Sequence, residues 1–303
     1  MVSGTDVLVI GGAGVDTIVR VPALPLPGRD SILVPPIEDF AGHTGNGVAF
    51  GCHTLGLVTE FADVIGDDYY GRLLLAAYEK AGLPFTWRVH ASGTRRSVNL
   101  VAPDSHRLSL YDPRHPFDMD VDPALYEPGI RRARHVHVSI MNWARHALSA
   151  AVAVGRPTST DLHDWDGASD YHRDFAYQAG IVFMSAAALG GRADEIARDI
   201  LRNGRAQAVV TMAGADGARL AVRGEPVRAI PAADLPGRPV VDTNGAGDSF
   251  AAAFLYARLH GMPFDAAARA GTIAGAFACG TPGTHTSFIG AAALHAELAR
   301  TAG

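Results

Sequence analysis

Short apolar runs alternate with helix-like stretches along most of the chain, and that alternation leaves few architectures open. The first run, Asp6-Val7-Leu8-Val9-Ile10-Gly11-Gly12, is short, continuous and closed by glycines. A strand buried on both faces has this pattern. Further strands are predicted at residues 57–64, 135–140, 157–162, 180–184 and 208–211. Helices are predicted at 45–55, 70–81, 143–154, 194–202, 247–259, 264–279 and 291–301. Such an alternation implies a parallel sheet covered by helices on both faces. Two regions, about 17–43 and 86–112, lack helices and are expected to pair as a small sheet standing off the main body. The first contains Val21-Pro22-Ala23-Leu24-Pro25-Leu26-Pro27-Gly28, which prolines bar from helix, followed by an extended stretch over 31–37. In the second, Pro103-Asp104-Ser105-His106 is a hairpin signal between strands at 95–102 and 107–111. With no internal repeat, residues 1–303 are expected to form one domain carrying these two insertions.

The 303 residues, 48% of them hydrophobic, can bury a large core, and 19% charged residues is too few for a disordered polar chain. A net charge of −5 argues against a nucleic-acid partner. No apolar run is long enough for a membrane span, and Met1-Val2-Ser3-Gly4-Thr5-Asp6 lacks the pattern of a secretory leader. Cys52 and Cys279 are far apart and form no framework, so a reducing cytoplasm is expected. Of 26 basic residues only Lys80 is lysine. It has neither the flanks of a phosphate-binding P-loop nor those of a protein-kinase strand lysine. Handling a nucleotide would require another device.

Residues 242–250, Asp-Thr-Asn-Gly-Ala-Gly-Asp-Ser-Phe, supply one. Two glycines permit a tight turn and a close backbone approach before a long alanine-rich helix. The helix N-terminus then offers unpaired N–H groups and partial positive charge, an anion site built without lysine. Asp248, in the first helical turn, could accept a proton from an attacking hydroxyl. The competing reading is a plain helix entry capped by Asp248.

This string resembles the C-terminal signature of the PfkB, or ribokinase-like, carbohydrate kinases. Residues 41–49, Ala-Gly-His-Thr-Gly-Asn-Gly-Val-Ala, resemble the family's N-terminal motif, with Ala41 in place of its first glycine. Gly11-Gly12-Ala13-Gly14-Val15-Asp16 looks like the end of the family's first strand, and Thr211-Met212-Ala213-Gly214-Ala215-Asp216-Gly217 is similar to its nucleotide-binding stretch. The resemblance implies an α/β, Rossmann-type, mostly parallel sheet flanked by helices, with a small β lid. It implies ATP-dependent phosphorylation of a hydroxyl, a primary CH2OH, on a small sugar or sugar-like molecule. Asp248 would be the base, with Gly245, Ala246 and Gly247 as the anion hole. Asp16, Gly42 and Asn46 would contact the acceptor, and Thr211, Gly214, Gly217 and Asn244 the nucleotide. His43, where some ribose kinases have lysine, is either an acceptor contact or a loop residue. Asp161 is an acceptor candidate from its place at a strand carboxyl end, where ligands commonly sit. ATP and Mg2+ are the implied cofactors, with K+ near Asp242 and Gly283. Independently of the resemblance, the edge strands of such a lid would otherwise stay unpaired, so a homodimer through the lid is expected.

The chain departs from the family at Phe183-Met184-Ser185-Ala186-Ala187-Ala188-Leu189, where Asn-x-x-Glu often orders magnesium. Magnesium would then rest mainly on phosphates and water. A non-catalytic sugar or nucleotide sensor on the same fold is therefore an alternative, as is a nucleoside kinase with Phe40, Trp143 or Trp165 stacking on a base. A nicotinamide site fails because Thr17 stands where Gly-x-Gly-x-x-Gly needs its last glycine. Asp161 and His163 are weak metal candidates, and His135 and His137 read as a packed pair rather than a zinc site. Of Arg95 and Arg96, one is expected to face solvent, since strand neighbours point opposite ways.

Overall fold

A computed structural model describes residues 4–103 and 106–301 of the chain. Its strands are β1 (Val7–Ile10), β2 (Gly14–Arg20), β3 (Glu38–Gly42), β4 (Thr59–Ile65), β5 (Phe85–Val89), β6 (Arg96–Val101), β7 (Arg107–Asp112), β8 (His135–Val138), β9 (Thr158–Asp161), β10 (Ile181–Ser185), β11 (Ala208–Met212), β12 (Ala218–Val222) and β13 (Arg228–Ile230). Its helices are α1 (Thr44–Thr54), α2 (Tyr69–Ala81), α3 (Glu127–Arg132), α4 (Ala144–Ala153), α5 (Asp170–Gln178), α6 (Ala193–Asn203), α7 (Ala246–Leu259), α8 (Phe264–Ala278) and α9 (Ala291–Thr301).

Among the described residues, nine strands form one sheet in the order β13-β12-β11-β10-β9-β8-β1-β4-β5. From β11 to β5 all neighbours run parallel, and β12 and β13 are added antiparallel at the edge. Alternate residues of each strand enter different cores, as the twofold period of a strand requires. Val7, Val9, Phe61, Phe183 and Val210 pack with α1, α2, α7 and α8. Leu8, Ile10, Val136, Val182 and Val209 pack with α3 to α6. The doubly covered sheet expected from the alternation is present.

A second sheet, β3-β2-β6-β7, forms the lid. Cross-strand register puts Phe40, Asp16, Ser97 and Tyr111 in one row. Arg20, Val101 and Arg107 form another row on the same face. Three details correct the sequence reading. Phe85–Val89 pairs with β4 in the large sheet, so the 86–112 segment is divided between the two sheets. The extended stretch placed at 31–37 instead forms a strand at Glu38–Gly42. Asp16 lies on lid strand β2 rather than at the end of the first strand. The hairpin residues Asp104 and Ser105, and Met1, Val2 and Ser3 of the opening segment, lie outside the described residues.

Candidate active site

The carboxyl ends of the parallel strands share one edge, where open α/β sheets bind ligands. Helices α1 and α7 start at this edge and lie close together: a Cβ on Gly51 would fall 2.5 Å from the Ala252 Cβ. The start of α1 presses on the turn after β1 so tightly that a Cβ on Gly45 would overlap the Gly11 carbonyl. The chain enters α7 through Gly245 at φ 74, and no side chain caps that end. The Ala246 N–H makes a long contact of 3.4 Å to the Thr243 carbonyl, whereas the N–H groups of Gly245, Gly247 and Asp248 meet no acceptor among the described residues and can face an anion. The Asp248 side chain, in the first turn, is directed not to the backbone as a cap but to His285, with Nε2 and Oδ2 2.7 Å apart.

Asn46, His285 and Asp248 form one buried chain of contacts. Asn46 Nδ2 donates to the Ala41 carbonyl at 3.1 Å, which fixes the orientation of the amide. The same Nδ2 lies 3.1 Å from His285 Nδ1, so Nδ1 is the acceptor. The imidazole proton is then on Nε2, facing Asp248. Asn46 Oδ1 is buried without a hydrogen-bond partner among the described residues. Sequence reasoning missed His285. It lies in an irregular turn, 37 residues beyond Asp248, and neither periodicity nor motif marks it.

Around this chain stand the other predicted acceptor residues. Asp16 is buried, and its carboxylate fills the space where a Gly42 Cβ would sit. His43 has φ 69 and ψ 157, a conformation rare outside glycine and a form of strain common at functional sites. Its Nε2 is 3.3 Å from Ser97 Oγ and 3.6 Å from Asp16 Oδ1, and its ring tilts against Tyr111. Burial outweighs the nearby Asp16 charge and lowers the His43 pKa to about 4. His43 is thus neutral at physiological pH, and its contact with Asp16 is polar rather than an ion pair. Asp161 ends β9, is buried, and accepts the His163 N–H at 2.9 Å. Burial pushes its carboxyl up; His163 opposes this and the Asp248 charge adds to it. Two buried carboxylates thus sense each other at the site.

On the other side, Thr211 is buried in β11, and Gly214 and Gly217 bound the turn that follows. The Met212 side chain comes within 3.4 Å of the Cβ position of Gly247, joining this turn to the anion turn. Two lid arginines reach the same loop. Arg107 Nη1 donates to Asn244 Oδ1 at 2.6 Å, and Arg20 Nη2 lies 3.2 Å from Asp242 Oδ2. Asp242 Oδ2 also accepts the Gly283 N–H, and Oδ1 accepts both the backbone N–H and the side-chain amide of Asn244. The Asp242 oxygens face donors, so this arrangement does not fit a monovalent cation. Among the described residues no three His, Cys, Asp or Glu side chains converge as a metal site. Residues 183–189, at the lost Asn-x-x-Glu, contain no carboxylate for magnesium, and the Ser185 hydroxyl there accepts the Ala187 N–H.

His135 and His137 lie on interior strand β8, buried and sharing Ser159 Oγ at 2.8 and 2.9 Å, the packed pair expected. The expectation of one solvent-facing arginine is corrected. Arg95 is buried in an ion pair with Asp63, and Arg96 is half-buried over the Tyr70 ring. Trp143 and Trp165 lie in the core, away from any role in stacking on a base.

A helix N-terminus without a side-chain cap, an adjoining buried carboxylate and a lid whose polar groups reach the same loop form an arrangement suited to phosphoryl transfer on a doubly wound sheet. Residues 5–289 match the model of the pfkB family carbohydrate kinases. Acarbose 7(IV)-phosphotransferase of Actinoplanes sp. is 48% identical over 291 residues, 96% of this chain and 97% of that protein. The solved structure of a microbiome-derived acarbose kinase, Mak1, superposes with a TM-score of 0.92 at 59% identity, covering 98% of this chain and 100% of that one. Arabidopsis thaliana ribokinase, solved with ribose and ATP, shares the fold at a TM-score of 0.78 and 20% identity, with 97% and 99% covered. The chain belongs to the PfkB family of carbohydrate kinases and is an ATP-dependent phosphotransferase acting on a sugar hydroxyl.

Proposed function

We propose that the acceptor is acarbose or a pseudo-oligosaccharide of the same kind, phosphorylated at one hydroxyl. The similarity to two acarbose kinases over nearly the whole chain carries this reading. Of the three aromatic residues that could stack on a nucleoside base, Trp143 and Trp165 are committed to the core, and only Phe40 stands in the lid row beside Asp16. The polar row Asp16, Ser97 and Tyr111, with His43 beside it, supports an acceptor rich in hydroxyls.

In this reading the acceptor hydroxyl gives its proton to Asp248 as its oxygen bonds to phosphorus. Bound ATP would supply the γ-phosphoryl group, the bond from its phosphorus to the bridging oxygen breaking as ADP leaves, and Mg2+ would offset the phosphate charge. The N–H groups of Gly245, Ala246 and Gly247 meet the developing negative charge; one preorganised donor of this kind is worth about 2.7–4 kcal/mol. Asp16, Gly42, His43, Asn46 and Asp161 hold the acceptor. Thr211, Gly214, Gly217 and Asn244 line the nucleotide. Residues 1–303 act as one kinase domain whose lid, with edge strands β3 and β7 exposed, would pair two copies. No helix of the described residues is long and apolar enough to cross a membrane, and a cytoplasmic location is part of the proposal.

ADP release measured with acarbose, D-ribose, D-fructose, 2-dehydro-3-deoxygluconate and adenosine tests it. The expected result is the highest kcat/KM for acarbose. Preference for ribose or adenosine, or ATP turnover with none of the panel, would overturn the assignment.

A further inference from the structure

Asp248 does not stand alone. Its Oδ2 lies 2.7 Å from His285 Nε2, and the imidazole is buried, with 1% of its side chain exposed. The slot holding the ring is cut by two glycines from the two motifs. A Cβ on Gly47 would overlap His285 Nε2, and one on Gly245 would fall 2.7 Å from Cδ2. Phe288 stacks beside the ring with centroids 5.9 Å apart. His285 itself is held at φ 56, a left-handed conformation that a β-substituted residue avoids unless its surroundings impose it. Asn46 fixes the far nitrogen as an acceptor, so the near nitrogen presents a proton.

We infer that His285 is a positioning residue for phosphoryl transfer. Its Nε2–H holds one oxygen of Asp248 and leaves the other for the acceptor hydroxyl. The proton bookkeeping assigns the roles. Nε2 already carries hydrogen and Nδ1 is engaged by the Asn46 amide, so the imidazole has no free site for the hydroxyl proton. That proton goes to Asp248, and His285 keeps its own. The same ring links the base to Asn46, on α1, so both motif helices set the carboxylate together. A bare filler of the slot would use neither nitrogen. A plug occupying the acceptor position would instead have to leave Asp248 before turnover.

The inference rests on the reading of Asp248 as the base but not on the identity of the acceptor, and two measurements keep these apart. The first needs no substrate: long-range proton–nitrogen NMR of the imidazoles, with the His285 signal assigned by its loss in His285→Gln. The expected signature is the Nε2–H tautomer; a ring protonated on Nδ1 overturns the inference. The second compares kcat and KM for wild type, His285→Ala and His285→Gln, using whichever acceptor of the panel the wild-type enzyme turns over. His285→Ala should lower kcat about 10–100-fold, the scale of a misplaced catalytic group, with KM for ATP within about twofold. His285→Gln, which can still donate, should recover most of that loss. Unchanged or raised kcat in His285→Ala, as a plug would give, overturns the inference. So does a glutamine variant as impaired as the alanine one.

Discussion

Replacing Asp248 by asparagine is the most direct test of the site. The two side chains have the same shape, and an asparagine Oδ1 can still accept from His285 Nε2, now 2.7 Å away. The slot between α1 and α7 would be unchanged, and the variant should fold with a melting temperature within a few degrees of wild type. The amide cannot take the acceptor's proton. Loss of a general base costs about 10²–10⁴-fold. At about 1.36 kcal/mol per tenfold, that is roughly 2.7–5.4 kcal/mol of barrier. Binding of ATP should persist, because the N–H groups of Gly245 to Gly247 proposed to meet its phosphates are backbone groups that the substitution leaves in place. Steady-state ADP release with acarbose, alongside nucleotide binding by calorimetry, gives both numbers. Turnover within tenfold of wild type in a folded variant would refute the role of Asp248.

Four further outcomes are expected. Because the Asp242 oxygens face Arg20 and three N–H donors, replacing K+ by a bulky organic cation should leave wild-type kcat unchanged; a strict K+ requirement in wild type would contradict the donor arrangement. Arg95→Ala strands the buried Asp63 carboxylate and should cost about 3–5 kcal/mol in urea unfolding, against under 1 kcal/mol for a solvated arginine. Gly217→Ala, whose Cβ would strike the Ile230 carbonyl at φ 81, should destabilise the turn after β11 proposed to line the nucleotide, read as a raised KM for ATP and a lower melting temperature. Burial lowers the pKa of His43 and His135 to about 4 and of His137 to about 3. These folded values lie below the unfolded value of about 6.5, so the unfolded chain binds more protons between them. Their contribution is fully present above pH 6.5 and is lost as pH falls toward 4, on the order of 3 kcal/mol each. Calorimetric stability that stays flat from pH 7 to 4.5 would rule this out.

The alternation of buried strands and helices, and the glycine turn ahead of α7, were legible in the residues because each follows from local rules: a period of two or 3.6, and the φ freedom of glycine. The same rules explain the misses. Phe85–Val89 reads as extended either way, and only pairing with β4 assigns it to the large sheet. Asp170–Gln178 is mostly polar and buries only Phe175 and Ala176, too little apolar surface to signal a helix. Trp165 looked available to a ligand until the second core enclosed it.

The sequence by itself determined the doubly wound sheet, the lysine-free glycine turn ahead of α7 and Asp248 within it. The tertiary structure alone decided what touches these groups. His285 is 37 residues from Asp248 and 239 from Asn46, and Arg20 is 222 residues from Asp242. No periodicity spans such separations. They close only when α1 packs on α7 and the lid folds over the turn, because hydrogen bonds and ion pairs act over a few ångströms and depend on where the packed elements set each side chain.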